Sequence, residues 1–279
     1  MTVSAKVVVF GGYTGSAYLA DTWEWDGTSW TQRSVTGPSA RERPAMAALN
    51  GKLVLFGGVG SAGALADTWE WDGASWTQRS VTGPSARESA GMATLGGKLV
   101  LFGGYNGSSY LSDTWEWDGT SWTQRSTTGP AGRWTHGMSA LNGAIVLFGG
   151  VGSSNFGDTW QWNGTAWTQR STTGPAARNG VLLATLGTKV VLFGGYSTAY
   201  LADTWEWDGA AWTQRTPATT PPAREDQGFA RLGTKLVMFG GISASGADLG
   251  DTWEWDGATW TQRGTGPTAR DHAGMASFP

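Results

Sequence analysis

Asp67-Thr68-Trp69-Glu70-Trp71-Asp72-Gly73-Ala74-Ser75-Trp76-Thr77-Gln78-Arg79 is one of six near copies in the chain, the others beginning at Asp21, Asp113, Asp158, Asp203 and Asp251. Successive starts lie 45 to 48 residues apart. Self-similarity at such a period marks stacked units, none of which can bury its apolar face alone. The 279 residues therefore read as one domain of six units.

Read outward from that stretch, each unit holds four short apolar runs separated by turn signals, which is a strand pattern. Run a, Ala45-Met46-Ala47-Ala48-Leu49, ends at Asn50-Gly51, a hairpin signal because both turn positions want positive φ. Run b, Lys52-Leu53-Val54-Leu55-Phe56, closes on Gly57-Gly58; its near-continuous apolar character fits a strand covered on both faces. Run c holds Trp69 and Trp71 on one face by the period of two. Asp72-Gly73 then turns into run d, and pairing about that turn sets Trp71 opposite Trp76.

The ends decide between an open array and a ring. The chain starts with a lone run b (Lys6 to Phe10) and finishes with a lone run a (270–278). Pairing the two completes six units and removes the free strand edges. The expected fold is all-β, a six-bladed β-propeller with four antiparallel strands per blade. The blades span 41–79, 87–125, 133–170, 178–215 and 224–263, and the last joins 270–279 to 1–33.

An apolar run, Gly-Gly, a loop, an aromatic and then Trp resembles the kelch repeat. Its double glycine matches Gly11-Gly12, Gly57-Gly58, Gly103-Gly104, Gly149-Gly150, Gly194-Gly195 and Gly240-Gly241. Its aromatic matches Trp25, Trp71, Trp117, Trp162, Trp207 and Trp255, and its Trp matches Trp30, Trp76, Trp122, Trp167, Trp212 and Trp260. The spacing from aromatic to Trp is shorter than the family's, implying a tighter c–d turn. Trp25-Asp26 brings a WD repeat to mind, but the Gly-His partner of that motif is missing.

Composition narrows the function. A net charge of −3 without a Lys/Arg run argues against nucleic acid and anionic membrane as partners. With no Cys, there is no disulfide, thiolate nucleophile or Cys-based zinc site. The first apolar run, Val7 to Phe10, is too short for a signal or a membrane span, and a cytoplasmic protein or one secreted after leader removal fits equally. A monomer without cofactor is expected.

Loop lengths point to one face. The interval from the Arg opening run a to the first Gly of the pair is 16 in every uninterrupted copy, and from the Asp opening run c to the closing Arg it is 12 in all six. Second Gly to Asp varies from 8 to 10, and closing Arg to opening Arg from 7 to 9. In a meander the b–c and d–a connections leave the same end of the blade, so all variation falls on one face, where function tends to sit. The residues after the opening Arg vary as well: Glu42-Arg43-Pro44, Glu88-Ser89-Ala90, Trp134-Thr135-His136, Asn179-Gly180-Val181, Glu225-Asp226-Gln227 and Asp271-His272-Ala273. With run a innermost, these triplets ring the channel mouth.

The ligand-binding candidates are therefore Glu42, Arg43, Glu88, Trp134, His136, Asn179, Glu225, Asp226, Gln227, Asp271 and His272, with the loop aromatics Tyr13, Tyr105 and Tyr196. Trp134 stands out because it is the one Trp of 19 outside the three-per-copy scheme. Where kelch propellers bind peptides, the resemblance implies d–a and b–c side chains with Arg prominent, matching Arg43 and the repeated Arg41, Arg87, Arg133, Arg178, Arg224 and Arg270. The repeated Arg and the Asp opening run c also suit structural ion pairs, and the scheduled Trp suit packing between blades. The carboxylates after the repeated Arg suit a solvated rim or a cation site. His136 and His272 lie three repeats apart, across the channel, one residue out of register.

Three functions compete. The first is a non-enzymatic binding module for a peptide, protein or glycan. The second is a symmetric scaffold without a dedicated ligand. The third is an enzyme such as the sugar mutarotases or metal-dependent oxidases and specifier proteins of the kelch class, with His136 and Glu88 or Asp226 and His272 as acid–base pairs.

Overall fold

In the computed structural model, which describes residues 5–125 and 128–278, each unit is a four-stranded antiparallel sheet in the order a-b-c-d. In the first blade these strands are Ala45–Leu49, Lys52–Phe56, Thr68–Trp71 and Trp76–Arg79. In the last, Gly274–Phe278 is strand a and pairs with Lys6–Phe10, with Lys6 opposite Phe278 and Phe10 opposite Gly274. The two ends of the chain thus seal a six-bladed ring. Among the described residues, no helix is long and apolar enough to cross a membrane.

The core lies between blades. Strand b alternates its contacts: Leu53 and Leu55 pack with Val8 and Phe10 of the last blade, while Val54 and Phe56 pack with Leu99 and Leu101 of the second. This explains why strand b reads as continuously apolar, since both of its faces are interior. Trp71 is fully buried and faces Trp76 across the c–d turn, ring centroids 5.5 Å apart. The Trp76 Nε1 donates to Thr22 Oγ1 of the preceding blade at 2.9 Å, and its ring meets Phe10 edge-on at 5.3 Å. The same indole-to-threonine bond joins Trp122 to Thr68, Trp167 to Thr114, Trp212 to Thr159, Trp260 to Thr204 and Trp30 to Thr252.

The repeated Arg and Asp are ion pairs within each blade. Arg41 is fully buried and grips Asp67 with two bonds, at 2.6 and 2.8 Å. It also donates to the Ser39 carbonyl, the Ser39 hydroxyl and the Gly57 carbonyl. All five N–H groups are therefore spent, as burial of a guanidinium demands. Burial alone would raise the Asp67 carboxyl, but the bonds from Arg41 and Trp69 outweigh it and hold the carboxyl below its usual range. In the third blade Ala131 stands where Ser39 stands in the first, and the Phe156 ring covers the Arg133 guanidinium at 3.9 Å instead.

The inner strands line the channel. Near the mouth, Met46, Met92, Met138, Leu183, Phe229 and Met275 contribute one side chain per blade to the wall of a lumen of about 390 Å³. On the far side the a–b turns are tight, and Asn50 and Gly51 take the φ values of 50° and 78° that their hairpin requires.

Candidate functional site

The mouth is built on a backbone ring. The second residue after each repeated Arg is in the left-handed region: Arg43 (φ 57°), Ser89 (50°), Thr135 (52°), Gly180 (63°), Asp226 (57°) and His272 (52°). That conformation turns each N–H toward the neighbouring blade. Ser89 donates to the Arg43 carbonyl (3.0 Å), Thr135 to Ser89 (3.2 Å), Asp226 to Gly180 (2.9 Å), His272 to Asp226 (3.0 Å) and Arg43 to His272 (2.7 Å). Only at the fourth blade does the neighbouring Val181 N–H make the link, to Thr135 at 3.4 Å. Six inter-blade bonds thus circle the channel. Non-glycine residues held at positive φ are costly and persist only where their surroundings over-determine them.

The d–a and b–c loops are stitched together on this same face. Glu42 and Val59 exchange backbone bonds at 3.0 and 2.9 Å, and Glu88 with Tyr105, Trp134 with Val151, Asn179 with Tyr196 and Asp271 with Tyr13 do likewise. The Arg41 N–H donates to Leu19 O in the b–c loop of the preceding blade at 2.9 Å. Loop length can therefore vary here while the residues beside the mouth stay fixed.

On this frame the side chains fall into two groups. The first is centred on the joint between the last blade and the first and reaches Glu88 of the second blade and Glu225 and Asp226 of the fifth. Arg43 Nη1 bonds Glu88 Oε2 at 2.9 Å and lies 3.9 Å from Glu42 Oε1. His272 Nε2 is 2.8 Å from Asp226 Oδ2, while its Nδ1 is 2.9 Å from Asp271 Oδ2 and 3.6 Å from Glu42 Oε2. Burial would depress the His272 imidazole, yet the charge and hydrogen bond of Asp226, with Asp271, push it up to about 10. Burial and then the Asp226 charge push Glu225 up to about 8, and burial raises Glu42. Asp226 itself is held down, its burial outweighed by the His272 cation. Arg43, Asp226 and His272, with Ser89, Thr135 and Gly180, border a pocket with room for about 70 Å³ of solvent.

The second group is an aromatic shelf. Trp134 packs against Tyr105 with centroids 5.2 Å apart and against Tyr110 at 6.5 Å, and the Arg43 guanidinium lies over its ring at 5.3 Å. Tyr110, 44% exposed, is the one large hydrophobic side chain left open among the described residues.

A family model of the KLHDC2/KLHL20/DRC7 Kelch-repeats domain matches residues 1–150 and again 72–195, well over half of the chain. The chain belongs to the Kelch-repeat family. No curated protein matches it. Kelch propellers are commonly protein-interaction modules, and the double glycines show why the motif recurs: Gly58 N–H donates to Arg87 O of the next blade at 2.9 Å, at φ 95°.

Within this Kelch ring the sequence-derived candidates separate. Glu42, Arg43, Glu88, Glu225, Asp226, Asp271 and His272 surround the mouth, and Trp134 and Tyr105 form the shelf beside it. Asn179 instead bonds Asn155 in the b–c loop of the preceding blade at 2.7 Å, next to Tyr196, which packs on Tyr200. Tyr13 packs on Tyr18. His136 and Gln227, the third residues of their triplets, turn inward between blades. Gln227 is fully buried and donates to the Phe193 carbonyl at 2.8 Å. His136 is buried edge-on to Phe102 at 5.6 Å, and burial followed by the Arg133 charge pushes it down to about 3. Of the two acid–base pairs considered, Asp226 and His272 are in contact; among the described residues no bond joins His136 to Glu88. Sequence reasoning missed Tyr110 and the left-handed ring. Gly180 was the one signal of the ring, being glycine at the position where five other residue types stand.

Proposed function

We propose that this Kelch propeller is a non-enzymatic interaction module whose monomer takes a peptide, protein segment or glycan at the d–a/b–c rim. The observation that carries the reading is the Tyr105–Tyr110–Trp134 shelf. It lies beside the channel mouth, on the face where every loop-length difference falls, with an exposed aromatic at its edge. Aromatic and Arg side chains grouped beside a pocket are what binding hot spots use, because they bring large contact area at low entropic cost. The excess of carboxylates over cations around the mouth favours ligands with basic groups.

Peptide and glycan arrays probed with the wild-type chain and with a Trp134→Ala/Tyr110→Ala variant test this reading. Ligands that bind the wild type should be lost on the variant and kept by a far-face control such as Asn50→Asp. Binding that survives removal of the shelf would refute the assignment.

A further inference from the structure

We propose that Glu42, Asp271 and His272 form a binding site for a single divalent transition-metal ion, held across the joint between the last blade and the first. One ligand atom from each side chain lies within 4.8 Å of the other two. The site does not depend on the interaction reading above, and none of the variants that test it touches the aromatic shelf.

Two unpartnered atoms carry the inference. His272 is held through Nε2, which is 2.8 Å from Asp226 Oδ2. Its Nδ1 has no aligned hydrogen-bond partner although the side chain is only 9% exposed. That nitrogen faces Asp271 Oδ2 at 2.9 Å and Glu42 Oε2 at 3.6 Å. With Nε2–H held by Asp226, an incoming ion that displaces the Nδ1 proton meets the Nδ1 lone pair, so three electron-pair donors converge on one spot. Asp271 Oδ1 is likewise buried without a partner. Orphaned buried polar atoms call for an explanation, and an ion is among the recognised ones.

The surroundings supply the rest of a metal site. Asp226 behind His272 repeats the carboxylate–histidine–metal arrangement that fixes the imidazole tautomer and strengthens it as a ligand. Arg43 offsets the carboxylates only in part: its Nη1 bonds Glu88 at 2.9 Å and lies 3.9 Å from Glu42 Oε1, leaving Glu42 Oε2 toward His272. The ligands also stand on fixed backbone, Glu42 by its exchange with Val59, Asp271 by its exchange with Tyr13 and His272 in the left-handed ring, as a preorganised site requires. Two carboxylates and one imidazole suit Zn²⁺, Mn²⁺ or Fe²⁺; soft Cu(I) prefers thiolates, and Ca²⁺ wants six or more oxygens.

Isothermal titration of the chelator-stripped full chain with Zn²⁺, and with Mn²⁺ followed by paramagnetic resonance, tests the assignment. One ion per chain should bind with micromolar or tighter affinity. Asp271→Asn and His272→Gln should each weaken binding about 100-fold or more, and Asp226→Asn, a positioning change, about 10- to 100-fold. Glu42→Gln serves as a further ligand variant if either of the first two fails to fold by circular dichroism. Asn50→Asp, in the a–b turn on the far face, should keep wild-type affinity. Absence of a one-ion event below about 100 µM, or undiminished affinity in the ligand variants that fold, would overturn the proposal.

Discussion

The backbone N–H of Arg43 donates to the carbonyl of His272 at 2.7 Å, the shortest link in the ring of left-handed residues around the channel. The two residues are 229 positions apart in sequence yet belong to neighbouring blades, the first and the last. The ring needs positive φ in every blade, and five of its six members pay the steric cost of a side chain there. Thr135, which is β-branched, carries the least compatible one. Thr135→Gly should therefore stabilise the fold by up to ~1 kcal/mol despite glycine's entropic cost. Gly180→Ala should destabilise it by ~1–2 kcal/mol, because the new Cβ would lie 2.5 Å from Glu225 Oε2 as well as at φ 63°. Urea unfolding of both variants checks the two signs.

His136 makes the fold sensitive to mild acid. Its imidazole is held near 3 in the folded chain against about 6.5 when unfolded. The unfolded chain therefore binds the extra proton first, and the stability this group contributes is complete above 6.5 and lost as pH falls toward 3. His136→Gln places at this site the residue that Gln227 supplies two blades on, where the amide bonds the carbonyl of Phe193. Between pH 7 and pH 5 the wild type should lose about 2 kcal/mol more than the variant. Parallel thermal melts at the two pH values measure that difference, and equal losses would contradict a neutral buried imidazole.

Asp67 and Asp72 are five residues apart and should respond to the same change with very different magnitudes. Asp67→Asn leaves the fully buried Arg41 without its counter-charge and should cost ~3–5 kcal/mol. Asp72 is exposed and holds its turn by accepting from the Ala74 and Ser75 N–H groups at 2.8 Å. An asparagine does the same work at Asn163 in the third blade, so Asp72→Asn should shift stability by less than ~0.5 kcal/mol. Denaturant midpoints of the two variants decide it.

Trp71 and Trp76 separate packing from hydrogen bonding. Both rings are buried, but Trp71 Nε1 has no partner while Trp76 Nε1 bonds Thr22. Trp76→Phe should lose a bond worth ~1 kcal/mol in addition to volume and leave the Thr22 hydroxyl unmatched. A double-mutant cycle with Thr22→Val should show coupling of ~0.5–1.5 kcal/mol for Trp76 and none for Trp71.

What the sequence made legible follows from repetition. Strand identity, the Trp71–Trp76 pairing and the closure of Lys6–Phe10 on Gly274–Phe278 all rest on patterns that recur six times or on counting what the ends lack. The face carrying the variable loops was legible for the same reason, since constant intervals mark the constant turns. The directions of the triplet side chains were not. They depend on a left-handed residue in the middle of each triplet, which breaks the alternation that strands obey. That turn sends His136 and Gln227 into the blade interface and His272 toward the joint. Contacts between Glu42 and His272 were equally out of reach, because they exist only once the ring has closed.

The mouth exists only if the ends of the chain meet. Native-state amide hydrogen exchange over Lys6–Phe10 and Gly274–Phe278 tests that most directly. These amides, with that of Arg43, should exchange as slowly as those of the Ala45–Leu49 and Lys52–Phe56 pair in the first blade. Rapid exchange at both ends, with the other five sheets still protected, would mean that the ring is open and that the joint carrying Glu42, Asp271 and His272 does not exist.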